Sequence, residues 1–464
     1  MNKKFVSTVL VIAFIFSVGL VVAEDIESSD FTDPSVCGGC HADIYEQWKG
    51  SLHAISYVDP LYLSLEEMAS METDGLTDEY CANCHTPIGV LSGEIPPIGI
   101  DSPSLSEISK NGISCDFCHS VNASTGIGNG AFLVSPDGTK RGPRDDSTSP
   151  FHGTVYSELH TKSEFCGMCH DVYHQVNNHP IETTYTEWKE GPYNTGDEAT
   201  TTYCQDCHMT PGITKYEANP GKSALTGPER EHIYTHHFVG GNAVLPGLLD
   251  SEVHEMMAQE RLKSAATLEL MVPEAGAGDE AEIKVKVTNV GAGHKLPTGL
   301  TEAREIWIEV VAVDSSGKEL FHSGALDEEG NVDPSAVMYH TVLGDANGEH
   351  TIKVWEAEST ISDNRIPPKE SRVESYTITV PSDAELPITI DAKLKYRSAS
   401  QELLDTLLGE ESFISPIAVM ASAEEEIGSV GVDGGSEQST PGFEFALAFS
   451  GMIAMALLLY RKRR

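Results

Sequence analysis

Five copies of Cys-x-x-Cys-His lie between Cys37 and His208, and no other feature limits the possible folds as strongly. They are Cys37-Gly38-Gly39-Cys40-His41, Cys81-Ala82-Asn83-Cys84-His85, Cys115-Asp116-Phe117-Cys118-His119, Cys166-Gly167-Met168-Cys169-His170 and Cys204-Gln205-Asp206-Cys207-His208. All ten cysteines of the chain fall in these motifs, which leaves none for a structural disulfide or a free thiol. Two cysteines three residues apart can both form thioethers with the vinyl groups of a porphyrin. The residue that follows is then held beneath the iron, and the pattern reads as covalent c-type haem attachment. Zinc ribbons need paired half-sites and no fixed trailing histidine, so a fifth pair would lack a partner. Redox dithiols usually come singly, and a disulfide framework does not require histidine after every second cysteine. The expected cofactor is five covalent haem c groups, with His41, His85, His119, His170 and His208 as proximal iron ligands.

Between the motifs the chain is rich in Gly, Pro, Ser and Thr and shows little sustained period. That is expected where large apolar cofactors replace much of what side chains would otherwise bury. Short helices are predicted over Ile44–Trp48 and Leu61–Met71. Ser104-Leu105-Ser106-Glu107 has the capping-box spacing and predicts a helix leading to the third motif. Asn122–Pro150 reads as loop. A long helix is predicted over Leu248–Leu262, capped by Asp250 or Ser251, with Val253, Met256, Met257 and Leu262 sharing a face.

From Thr267 the texture changes. Ile283, Val285 and Val287 alternate with polar neighbours, as do Ile306, Ile308 and Val310, Val373, Tyr376, Ile378 and Val380, and Ile388, Ile390, Leu394 and Tyr396. Turn signals at Asp314–Gly317, Asn347-Gly348 and Pro367-Pro368 separate the runs, and short alternating strands of this kind predict a β-sandwich.

The two ends read as addresses. Lys3 and Lys4, the apolar run Phe5–Val22 and the small-residue site Val21-Val22-Ala23 form a secretory signal, with an uncleaved N-terminal anchor as the alternative. Ala421–Thr440 is acidic and Gly/Ser-rich and reads as a tether. Pro441-Gly442-Phe443, the apolar run Phe445–Tyr460 and Arg461-Lys462-Arg463-Arg464 follow. This layout resembles the archaeal Pro-Gly-Phe sorting signal, in which the tail is removed and lipid is attached; a plain tail anchor is the alternative. The expected layout is a signal peptide (1–23), a pentahaem cytochrome c domain of irregular and α structure (24–265), an all-β sandwich domain (266–420), a linker (421–440) and a C-terminal transmembrane or sorting segment (441–464). The net charge of −41, from 71 acidic and 30 basic residues, argues against nucleic acid as a partner and suits cationic partners.

Each iron needs a sixth ligand. Of 18 histidines, thirteen lie outside the motifs and nine of those fall between His53 and His254. Imidazole is more abundant near the motifs than methionine, which favours bis-histidine, low-potential centres.

Several segments resemble multihaem cytochromes c related to the tetrahaem cytochrome of bacterial nitrification. They are Cys37–His53 with Tyr45-Glu46-Gln47-Trp48 and Ser51-Leu52-His53, Ser149-Pro150-Phe151-His152 leading to the fourth motif, Tyr185-Thr186-Glu187-Trp188 before the fifth, and His236-His237-Phe238-Val239-Gly240-Gly241-Asn242. The resemblance covers roughly residues 35 to 400. It implies distal ligation by His53, His160, His237 and His152, with His236 competing with His237 and His174, His179, His232 and His254 in reserve. Gly293-His294-Lys295-Leu296-Pro297-Thr298-Gly299 resembles a loop recurrent in β-domains appended to such proteins, with Arg365-Ile366-Pro367-Pro368 as its companion. It marks His294 as a further ligand or haem-edge contact.

All five motifs end in His, so none shows the lysine-ligated catalytic variant of the pentahaem nitrite reductases. An electron carrier in archaeal extracellular or cell-surface electron transfer is therefore expected, exchanging electrons with other redox proteins or an extracellular acceptor. An enzyme acting on a small nitrogen or sulfur species at an open haem, and a subunit of a cytochrome filament, are the alternatives.

Overall fold

The computed structural model describes residues 25–95, 105–212, 215–409 and 414–428. The expected leader, the tether beyond residue 428 and the Pro-Gly-Phe segment lie outside the described residues.

The motif-bearing half is a string of short helices. Each motif rides on a helical turn: Pro34–Gly38, Asp78–His85, Cys115–Ser120, Glu164–Gly167 and Cys204–His208. A helical turn puts residues i, i+3 and i+4 on one side, which the attachment chemistry requires. The His41 and His170 backbone N–H groups accordingly donate to the Cys37 and Cys166 carbonyls at 2.9 Å. Local caps set these turns: the Asp33 carboxylate accepts from the Ser35 N–H at 2.8 Å, and the Ser114 hydroxyl from the Phe117 N–H at 3.4 Å. The apolar clusters of this half are small, one of them built from Phe31, Ile88, Phe117, Val121, Phe132 and Met168.

Two predicted helices differ from expectation. Before the third motif the described residues, which begin at Leu105 and so exclude the expected cap Ser104, hold a 3-10 turn, Ser109–Asn111, ended by Gly112 at φ 60°. The predicted Leu248–Leu262 helix is two: Val244–Leu248 and Glu252–Ala265, broken at Asp250 with φ 60°. The second buries His254, Ala258, Leu262 and Ala265 and leaves Val253 and Met256 exposed. The face turned inward is chosen by His254, whose Nε2 meets the Gln47 carbonyl at 2.7 Å. Ser251 bonds the His254 ring at 2.7 Å instead of capping the backbone.

The second half is built on two antiparallel sheets around one core. One orders the strands Ser371–Thr379, Glu280–Asn289, Ala266–Met271; the other orders Glu319–Ser323, Glu305–Asp314, Ile388–Arg397, Ala418–Ile427. Ile283, Val285, Val287, Ile308, Val310, Ile390 and Leu394 are wholly buried between them. The final strand pairs Ile427 with Ile388, so residues 421–427 belong to the sheet and not to a tether. A small third sheet, His350–Thr351, Thr341–Gly344, Ser359–Asp363, meets the motif half through Leu343, Ala357 and Ile181.

Among the described residues no helix is long and apolar enough to cross a membrane. The longest described helix, Glu252–Ala265, has 14 residues, against the roughly 20 apolar residues a bilayer demands. The described fold is thus a half of short helices followed by β-sheets, with no transmembrane helix among the described residues, which corrects the expected fold class; residues 441–464, expected to supply that helix, lie outside them.

Candidate haem-binding site

The ten motif cysteines are free and half-buried. Thiols of different motifs lie close enough to act on one another's ionisation: Cys37 and Cys115, Cys84 and Cys169, Cys166 and Cys204. Cys118 acts on both Cys166 and Cys169. The third motif therefore stands between the first and the fourth, and the second and fifth both abut the fourth.

The motif histidines are oriented by their Nδ1 atoms. Nδ1 of His41 meets the Ser223 carbonyl at 2.6 Å, that of His85 the Ser56 carbonyl at 3.0 Å, that of His119 the Arg141 carbonyl at 2.6 Å and that of His208 the Val239 carbonyl at 3.0 Å. Donation from Nδ1–H fixes the tautomer that leaves the Nε2 lone pair free for a metal. His170 is the exception: its Nδ1 faces the Glu182 carboxylate at 3.5 Å. Burial lowers the pKa of His85, His119 and His208, which holds those imidazoles neutral. At His170 burial works the same way, but Glu182 outweighs it and the pKa is raised.

Three motif imidazoles face a second imidazole. Ring centres are 6.5 Å apart for His41 and His152, 5.9 Å for His119 and His160, and 6.2 Å for His170 and His53. Two imidazoles that each bonded one iron at about 2 Å would place their ring centres about 6 Å apart, so the spacing of these pairs fits a bis-histidine haem, with His160 Nε2 resting on the Cys118 carbonyl at 3.1 Å. Burial pushes His53 down to about 3 and His160 down to about 4, and neutral imidazole is the ligating form. His294, lowered by burial, acts electrostatically on His208 and so brings the β-half to the fifth motif.

The remaining candidates divide. His237 bonds His254 at 3.3 Å. His236 instead turns Nδ1 to the Tyr234 carbonyl at 3.0 Å, and burial pushes it down to about 3, with His119 and His41 among the groups acting on it. His174 and His179 are engaged by the β-half, at the Trp355 carbonyl (2.9 Å) and the Thr360 hydroxyl (3.1 Å). His232 is held by the Asn219 N–H at 3.1 Å.

Among the described residues no imidazole partner of this kind stands opposite His85. Tyr62 stacks on its ring at 3.8 Å, and the one imidazole acting on it is that of His170. Beside it, both carboxylate oxygens of Glu66 and the Tyr62 hydroxyl are buried without a hydrogen-bond partner. Burial pushes Glu66 up to about 8. Glu66, Tyr62 and Glu182 were not foreseeable from sequence: each is a common residue in an unremarkable context, and only the fold carries it to a motif.

A buried clamp positions the His294 loop. Glu187, on the helix Thr184–Glu190, accepts from the Lys295 N–H at 3.1 Å, the Thr298 hydroxyl at 2.8 Å and the Arg365 guanidinium at 2.5 Å. Arg365 is further held by Asp363 at 2.8 Å.

Motifs, tautomers and ring pairs together define the class: a multihaem cytochrome c. Residues 36–120 match the family described as "Cytochrome c554 and c-prime". Among solved structures, a penta-heme cytochrome c552 from Thermochromatium tepidum is similar to this chain at 20% identity and TM-score 0.61, covering 86% of this chain and 99% of that one. Spo0M, a sporulation control protein from Bacillus subtilis, matches 35% of this chain and 48% of its own at 11% identity, with a TM-score of 0.13 that carries no structural weight. No curated protein matches.

Proposed function

We propose that this chain is an extracytoplasmic electron carrier holding five haem c groups, acting in extracellular or cell-surface electron transfer in an archaeon. The observation that carries this reading is the set of imidazole pairs at 5.9–6.5 Å across three of the motifs. Haem supplies reversible one-electron chemistry when bound. The protein's part is to attach, orient and shield. The cysteine pairs would be the covalent anchors, and His41, His85, His119, His170 and His208 would each hold an iron. His152, His160 and His53 would be the second ligands at the first, third and fourth motifs, and His294 would serve the fifth. His236 is the reserve beside the first and third. Irons ligated on both sides bind no substrate, and thiols of different motifs lie close, as conduction requires. The archaeal context rests on the Pro-Gly-Phe triplet alone. The net charge of −41 favours a cationic redox partner.

A pyridine haemochrome assay and ferric EPR test this reading. Five haems per chain with predominantly low-spin bis-imidazole signals are expected. Fewer than five, or mainly high-spin iron, would refute it.

A second reading is favoured by the surroundings of His85. A haem there with no second imidazole, beside the buried Tyr62 and Glu66, has the features of an open reactive site for a small nitrogen or sulfur species. One high-spin ferric signal that binds cyanide or nitric oxide supports it; a full set of low-spin signals excludes it.

A further inference from the structure

The five motif histidines are not held alike. Four direct Nδ1 at backbone carbonyls, belonging to Ser223, Ser56, Arg141 and Val239. His170 directs it at a carboxylate, Glu182 Oε1, 3.5 Å away. The local chain builds this contact. After His170 the strand Val172–Tyr173 pairs antiparallel with Pro180–Glu182, so the excursion returns Glu182 to the ring it left. The Thr184 hydroxyl donates to the same Oε1 at 3.2 Å and fixes its orientation. From the β-half, Arg304 and Glu302 face Glu182.

We propose that Glu182 is a positioning residue for His170 that lowers the reduction potential of the iron held at the fourth motif and sets this centre apart from the other four. The inference rests on the motif histidines being axial ligands. A carbonyl is a neutral acceptor, whereas a carboxylate carries a full negative charge. An imidazole whose Nδ1 faces a carboxylate at this distance is polarised by its charge and becomes a stronger donor through Nε2, and outer-shell groups of this kind tune the metal they support. Extra donation and extra negative charge stabilise ferric over ferrous iron, which lowers the potential. The position matters because the fourth motif is where the second and fifth abut, through Cys84 against Cys169 and Cys204 against Cys166. Its potential governs exchange between those two branches.

Potentiometric titration of the haem bands in the holoprotein tests this, on wild type, Glu182→Asp and Glu182→Gln, with a haemochrome count on each. Gln keeps the size of the acceptor and removes its charge; Asp keeps the charge and shortens its reach. The expected result is an unchanged haem count and one couple displaced upward, least in wild type, further in Glu182→Asp and furthest in Glu182→Gln, with the others in place. An unmoved set of couples in Glu182→Gln at full haem content overturns the proposal and leaves the ligation reading standing. Should Glu182→Gln not assemble, Glu182→Asp decides: a single couple raised supports the proposal, and an unmoved set overturns it. A wild-type haem count below five strikes the ligation reading itself, and the proposal with it.

Discussion

Arg365→Met tests the clamp that ties the β-half to the motif half. Arg365 and Glu187 are both 7% exposed, and their ion pair is set into the contact between the halves. Removing one member of such a pair leaves an uncompensated buried charge, which costs roughly 3–5 kcal/mol. Glu187 keeps three neutral donors after the change, from Thr183, Lys295 and Thr298, and Asp363 keeps Lys295. The lower part of the range, about 3 kcal/mol, is therefore the expected loss. The damage falls on the loop that carries His294, so denaturant unfolding followed at the haem bands is the assay. The variant unfolds at lower denaturant, and ferric spectra show partial low-spin to high-spin conversion at one centre. The double variant Glu187→Gln/Arg365→Met recovers part of the loss, because the stranded charge is gone. A loss below about 1 kcal/mol, or a double variant no better than the single one, refutes the clamp as a buried charge pair.

Three further outcomes follow from the same geometry. His53→Ala removes the imidazole 6.2 Å from that of His170, so EPR of the ferric variant shows one low-spin signal replaced by a high-spin one with all haems retained. Val285→Ala empties a wholly buried site between the sheets and lowers unfolding stability by about 1–3 kcal/mol with no change in haem content. Burial pushes Glu302 up to about 8, from an ordinary 4.5. Between those values the folded state holds a proton that the unfolded chain has released, so this residue makes stability fall as pH rises, by at most about 1.4 kcal/mol per unit, and the fall levels off above the folded pKa. Glu302→Gln flattens that slope in pH-dependent unfolding; an unchanged slope excludes Glu302 as its source.

The attachment motifs were legible because their chemistry needs a fixed local spacing, and a helical turn delivers it. The sheets were legible because residues such as Ile283, Val285 and Val287 alternate with polar neighbours and the buried set follows that alternation. Distal ligation was only partly legible. A second imidazole reaches its motif through the tertiary fold, as His53 reaches His170 across more than a hundred residues, and nothing local ranks His236 against its neighbour His237. Their difference lies in what Nδ1 meets: the Tyr234 carbonyl in one case, His254 in the other. The inward face of the helix Glu252–Ala265 was missed for a like reason. Apolar spacing pointed to Val253 and Met256, but the polar contact of His254 with Gln47 set the rotation.

The two halves of the chain bury themselves by different means, and this bears on where the functional unit ends. The β-half has a continuous apolar core spanning both sheets, with residues such as Ile308, Val310, Ile390 and Leu394 wholly buried, and each such side chain contributes about 1.5–3 kcal/mol. The motif half has only small clusters, such as that of Tyr57, Tyr62, Ala82, Ile95 and Leu105. It also holds partnerless buried polar atoms at Glu66 and Tyr62 beside the second motif. Side chains alone do not complete such an interior, and the anchors for what does complete it are the ten cysteines. The fifth motif then breaks the symmetry between the halves. Its histidine, His208, has His294 as an imidazole neighbour, and that residue lies on a β-half loop locked by Glu187 and Arg365. A boundary at residue 265 is therefore a boundary of texture. The site runs across it, because the β-half supplies an imidazole neighbour and a clamp to the half whose apolar clusters are small.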